Sequence, residues 1–389
     1  MALPAEICGM ICQDPQLTRR DLRVLCAVSR TFRDEAERIL RTVVRLPNLR
    51  LILSWSRSLV RRPHLALPVR SLSLTFPSPT SFYPAELIKV HRSLRACSNL
   101  QTLEVLNDGK VLHDEKTDSR GSCQGWVLEG HSFRLSKFTN TYFDQFYLFR
   151  FLDQQSDIHT LVSPTWKAEN VPHSILPNLC TIHVSSNALG QLASWSSERK
   201  RPIAHVQYDL SHSSSEYHQI STFVALGRFR ETLTNLSLRR CGGLSLTATM
   251  ATVAVQLPGL KFFRFLDEGP VSYTAVRFRL WTHSRTFLLP QRLSFFDPIL
   301  SSVLLFNSIE TMILQAVLFR GSEPPLNMFR ELNSHIGRLD TAIGIMESCS
   351  TLLRLVFISD NNYAFTRSED GDVRDEGVVE LDDSAWMHS

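Results

Sequence analysis

The chain has 389 residues, 43% hydrophobic and 21% charged, with a formal charge of +4, an ordinary composition for a globular protein able to bury a large core. No apolar run approaches the roughly 18 residues that cross a bilayer, and the start MALPAEICGM lacks a basic region, apolar segment and cleavage site; no membrane partner is expected, and the expected location is cytoplasmic and/or nuclear. The charge is uneven: thirteen arginines face six acids up to residue 70, whereas SEDGDVRDEGVVELDDSAWMHS from Ser368 onward is acidic and reads as a solvated, disordered tail. The N-terminal arginines are spread through an amphipathic helical pattern without interleaved stacking aromatics, so no nucleic-acid partner is expected. Eight cysteines without a C-x-x-C pair read as reduced thiols packed as small hydrophobes.

In chain order, Leu3-Pro4 opens a first helix with Ile7 and Ile11 one turn apart. After a break at Asp14-Pro15, a second helix from about Thr18 gathers Leu22, Leu25 and Cys26. Ser29 then reads as the N-cap of a third, which carries Phe32, Ala36, Ile39 and Leu40. Three short amphipathic helices make a thin core, and such a unit normally needs a partner surface to complete it. The ordered set Leu3-Pro4, Glu6-Ile7, Ile11, Asp21-Leu22, Leu25, Val28-Ser29-Arg30, Phe32 and Ala36 resembles an F-box. The resemblance implies a Skp-type adaptor as partner and, through it, a cullin. The residues expected at that contact are Leu3, Pro4, Ile7, Ile11, Leu22, Val28 and Phe32.

Residues 47–68 read as a linking helix, with Leu51, Leu53, Trp55, Leu59 and Val60 as its apolar positions. Beyond it, large apolar residues recur at i, i+3 and i+5. The copies are Val69/Leu72/Leu74, Leu100/Leu103/Val105, Ile158/Leu161 with Ser163, Leu179/Ile182/Val184, Ile203/Val206/Tyr208, Leu233/Leu236/Leu238, Leu260/Phe263/Phe265, Ile309/Met312/Leu314 and Leu352/Leu355/Phe357. Leu135/Phe138 with Asn140 is a weaker copy. One copy would mean nothing, but about nine predict stacked units around a continuous core, and this L-x-x-L-x-L spacing resembles a leucine-rich repeat. Amphipathic stretches at 85–98, 143–155, 187–199, 216–229, 244–256 and 293–306 alternate with the strands, implying parallel strands on a concave side and helices outside. The polar stretch 106–130 reads as an exposed loop, and 267–290 as out of period with one extra strand around 276–280.

The expected fold is therefore α/β, divided into an F-box helical module (1–46), a linking helix (47–68), an irregular leucine-rich-repeat solenoid (69–367) and the acidic tail (368–389). No phosphate-binding glycine loop, nucleophile elbow or H-E-x-x-H motif occurs, and the histidines, His205 with His212 and His218 among them, lie in polar, loop-like sequence. Neither cofactor, metal site nor enzyme activity is expected. An F-box followed by such repeats is similar to the substrate adaptors of Skp–cullin–F-box ubiquitin ligases; a solenoid scaffold without ligase coupling is the alternative. Strand alternation directs Ser73, Glu104, Lys137, Val162, His183, Gln207, Ser237, Arg264, Ile313 and Val356 outward. That row becomes apolar toward the C-terminus, so Phe262, Arg264, Ile313, Arg354, Val356 and Ile358 are the expected contacts for an unknown protein substrate, unless the tail or a terminal cap covers them.

Overall fold

Ten stretches with one spacing become ten strands of one kind. The computed structural model describes residues 3–14, 16–77, 83–108, 125–143, 145–164, 166, 175–193, 201–210, 216–240, 246–267, 301–315, 334–358, 361–382 and 384–387. The chain forms two compact units, 1–179 and 180–389.

The first unit begins with helices α1 (Ala5–Cys12), α2 (Arg19–Val28) and α3 (Arg30–Leu40). Thr18 caps α2 through a reciprocal pair of bonds with Asp21, and the Ser29 hydroxyl accepts from the Phe32 N–H at 3.2 Å to start α3. Cys8, Cys12, Leu22, Phe32 and Ala36 form the shared core, with Leu25 and Cys26 packed against it. Gly9 allows α1 close to α3, since a Cβ there would lie 3.3 Å from Glu35 Oε2. A strand absent from the sequence reading, β1 (Val43–Leu46), follows directly; helix α4 (Leu49–Arg61), capped by Asn48, comes next. The buried face of α4 is Ile52, Ser56 and Leu59, one helical stripe, while Leu51 and Val60 are exposed.

Strands β2 (Ser71–Phe76), β3 (Thr102–Asn107), β4 (Lys137–Asn140) and β5 (Thr160–Ser163) extend from β1 in a parallel ladder, with α5 (Pro84–Ala96) and α6 (Gln145–Asp153) between them. Register aligns Leu72, Leu103, Phe138 and Leu161 in one row, and all are buried. Asn140 occupies an apolar slot yet is fully used: its amide accepts from Phe143 N–H at 2.9 Å and donates to Phe143 O at 3.0 Å.

The second unit repeats the scheme with β6 (Thr181–Val184), β7 (His205–Leu210), β8 (Asn235–Arg240), β9 (Phe262–Asp267), β10 (Thr311–Gln315) and β11 (Arg354–Ile358), all parallel. Helices α7 (Ser186–Ala193), α8 (Glu216–Gly227), α9 (Leu246–Gln256) and α10 (His335–Ser348) lie between strands; α10 was not foreseen. Ile182, Val206, Leu236, Phe263, Met312 and Leu355 share one buried row, and Val184, Tyr208, Leu238, Phe265, Leu314 and Phe357 the next. At about 1.5–3 kcal/mol per buried large side chain, these rows dominate the stabilisation. The leading residue of each copy is buried in the turn before its strand. Asn99 donates to Leu67 O at 2.8 Å, Asn178 to Ser156 O at 3.1 Å and Thr232 to Ile203 O at 2.8 Å. Each stands just before a leading apolar residue and ties its turn to the one before.

The acidic stretch from Ser368 is not a disordered tail, which corrects the sequence expectation. Strand β12 (Asn362–Arg367) pairs antiparallel with β11, and β13 (Val373–Val378) with β12, through a bulge at Ala364/Phe365. Gly371 and Gly377 take positive φ, 92° and 78°, the first in the hairpin turn and the second within β13 at the bulge. Along β13 the half-buried positions Val373, Asp375 and Gly377 alternate with exposed Arg374, Glu376 and Val378, so charge density and strand structure coexist. Among the helices expected from sequence, 194–199 and 293–300 lie outside the described residues, as do the bulk of the 106–130 loop and the 276–280 strand.

Candidate interaction surfaces

No group of three or more His, Cys, Asp or Glu suited to a metal is found among the described residues, nor a helix long and apolar enough to cross a membrane. What the described residues offer instead is two apolar faces.

The first lies on the N-terminal helices. Because α1 turns Cys8, Gly9 and Cys12 inward, the residues at the other helical phase, Leu3, Ile7, Met10 and Ile11, face solvent, with Met10 69% exposed. On α2, Leu22 is inward while Val24 and Val28, one turn apart, are exposed, Val28 by 62%. Pro4 is also exposed. Of the seven residues expected at an adaptor contact, five are therefore available, and Leu22 and Phe32 are corrected to core residues: they hold the helices together and cannot reach a partner. Cys8 and Cys12 share a face with neither Ile7 nor Ile11, since a one-residue offset on a helix turns the side chain by about 100°. Burial, with the neighbouring Cys8 and Glu35, pushes the Cys12 thiol above its ordinary range, which suits packing rather than reactivity.

The second face is the outward row of the strand ladder. Register places Ser73, Glu104, Thr139 and Val162 in one row of the first unit, with Lys137 in the adjoining row, 3.8 Å from Glu104. In the second unit the row runs His183, Gln207, Ser237, Arg264, Ile313, Val356 and, across the antiparallel pair, Ala364. The change from polar to apolar is as the alternation predicts, but the face is not open. Phe262, Arg264, Ile313 and Val356 are buried, Val356 to 1% exposure, and Arg354 and Ile358 are half-buried. This corrects the expected exposed substrate patch.

The cover is the chain's own C-terminus. Trp386, 1% exposed, joins Phe262, Ile313, Val356 and Ala364 in one cluster, with Ile358, Val379, Leu381 and Met387 packed at its margin. Trp386 stands in a single 3-10 turn, Ala385–Met387, preceded by Asp382, whose carboxylate accepts from the Ser384 N–H at 2.8 Å and from its hydroxyl at 2.6 Å. The Trp386 carbonyl accepts two hydrogen bonds, from His205 Nδ1 at 3.1 Å and Asn235 Nδ2 at 3.2 Å. His205, read from sequence as a loop histidine, thus starts β7 on the outward face and donates through Nδ1. The hairpin is fastened separately: Arg354 bonds Glu376 at 3.3 Å, His335 bonds Asp375 at 2.6 Å, and the Arg338 guanidinium lies 3.7 Å from the centre of the Tyr363 ring. Deeper in the row, His183 Nε2 meets Asp209 Oδ2 at 2.9 Å. His212 lies outside the described residues.

No protein-family model matches the sequence, and no curated protein is significantly similar to it.

Proposed function

We propose that the chain is a substrate-recognition adaptor of a Skp–cullin–F-box ubiquitin ligase, with the N-terminal helices docking a Skp-type adaptor and the strand-and-helix array, built as a leucine-rich-repeat solenoid, holding a protein substrate. The observation that carries this reading is the exposed set Leu3, Ile7, Met10, Ile11, Val24 and Val28 on helices whose own core is small. Apolar residues at helical spacing left in solvent beside so small a core mark a protein-binding surface. The parallel array with buried rows at the i+3 and i+5 positions supports the second half of the reading, since stacked units offer one extended face to a partner. Catalysis in such an adaptor is proximity: the held substrate's lysines meet the charged conjugating enzyme at raised effective concentration.

The test is capture of purified Skp-type adaptor by the full chain and by Ile7→Asp combined with Ile11→Asp. Both side chains are exposed, so the folded chain accepts the change while adaptor capture is lost. Undiminished capture by a folded double variant overturns the assignment.

A further inference from the structure

The C-terminal segment is bound to the outward face in the manner of a ligand rather than of a strand. Strands β12 and β13 are locked into the ladder by backbone pairing over five residue pairs each. Beyond Val379, whose N–H donates to Asn362 O at 2.9 Å and whose carbonyl accepts from Asn362 Nδ2 at 3.2 Å, no backbone pairing to the ladder occurs among the described residues up to 387. Among the described residues, the end is held by the Trp386 indole against Phe262, Ile313, Val356 and Ala364, by Leu381 and Met387 at its margin, and by one carbonyl bonded to side chains of two different strands, the first residues of β7 and β8. The residues leading to it, Glu380, Leu381 and Asp382, alternate exposed acid with a half-buried leucine. An anchor aromatic in a desolvated pocket, fixed in direction by donors to its main chain, is how a face reads a short peptide.

We propose that the outward face of β7–β11 is a binding site for a short peptide segment presenting a tryptophan, and that residues 379–387 are its internal occupant, displaced when an external segment of the same chemistry binds. This deepens, and rests on, the reading that the strand face recognises protein. Phe262, Ile313 and Val356 form the indole pocket, and His205 and Asn235 fix the main chain. Self-occupancy lowers the apparent affinity for an outside segment by the fraction of molecules in which the internal one is released.

The experiment uses the full chain and a labelled synthetic peptide of residues 379–389, followed by fluorescence anisotropy. The Trp386→Ala chain, its pocket emptied, binds the peptide about tenfold or more tighter than the wild-type chain, whose own segment competes. A peptide with alanine in place of the tryptophan loses at least about tenfold, and adding Asn235→Ala to the Trp386→Ala chain weakens binding about fivefold. Equal peptide affinity of wild-type and Trp386→Ala chains overturns the proposal. Hydrogen exchange on the wild-type chain decides independently of how the variant folds: amides of 384–387 that exchange well before those of β11 support a releasable occupant, whereas exchange only together with β11 shows an integral cap and overturns it. Adaptor capture through Ile7 and Ile11 is read in a separate assay, so failure here with intact capture leaves the ligase reading standing, and loss of capture leaves this one standing.

Discussion

The two apolar faces of the molecule have opposite fates. On the N-terminal helices the chain spends Cys8, Cys12, Leu22, Phe32 and Ala36 on a small core and leaves Ile7, Met10 and Val28 in water; on the strand array it brings Trp386 back to cover Phe262, Ile313 and Val356. Periodicity marks both faces as apolar, yet only the distant end of the chain decides which one stays open. Exposure is a property of the whole fold, and burial of a face is set by whatever segment finds it cheapest to dry.

The largest effect expected on this contrast comes from placing the same charge on each face. Val356→Asp puts a carboxylate in the sealed cluster and should cost about 4 kcal/mol in urea denaturation, because the site offers it no water. If the variant is as stable as wild type, the cover does not dry the face. A second expected effect belongs to neither face and calibrates them. His131 is buried against Phe133, its Nε2 donating to Val127 O at 2.8 Å, and burial pushes its pKa down from 6.5 to about 4. The unfolded chain takes up the proton first, so the contribution is complete above about pH 6.5 and is lost as pH falls toward 4, by about 3 kcal/mol. In His131→Leu the slope of stability between those two pH values should flatten; an unchanged slope would place the acid sensitivity elsewhere. Next in size, Ser29→Ala removes the cap of α3, the helix on which α1 and α2 both pack, and should lower stability by about 1 kcal/mol, seen as a shift in denaturation midpoint at constant slope. The smallest effect is Ile7→Asp, which should change stability by less than about 0.5 kcal/mol, since the residue is exposed. A large loss there would show that the helical face is core after all.

How much of this could be read in advance varies with the range of the cause. The ladder was legible because its signal is local: all copies from Val69 to Phe357 place their apolar residues in buried rows. The N-caps Thr18 and Ser29 were legible for the same reason. Contact assignments failed at Leu22 and Phe32, whose apolar character is local while their burial is not: packing of α1 and α2 on α3 turns both into the shared core. The tail failed for a different reason: its acids dominate the composition, while the informative residues are sparse, namely Gly371, Gly377 and Trp386. A lone tryptophan after an acidic run is a weak local signal, and its partners His205 and Asn235 lie 181 and 151 residues away. The ties made by Asn99, Asn178 and Thr232 share one place, just before the leading apolar residue, so their signal too is local.

The antiparallel hairpin β12–β13 also sets a limit to growth. A parallel array of repeats is open-ended: its last strand offers the same edge as every strand before it, and another unit, or another molecule, can dock there. Reversing direction at β12, bulging at Ala364/Phe365 and lining β13 with Arg374, Asp375 and Glu376 changes that edge into one with a different bonding pattern and a charged border. The hairpin therefore works as a stop signal in three dimensions, ending the count of repeats at β11 and keeping the molecule's terminal edge from being copied by a neighbour.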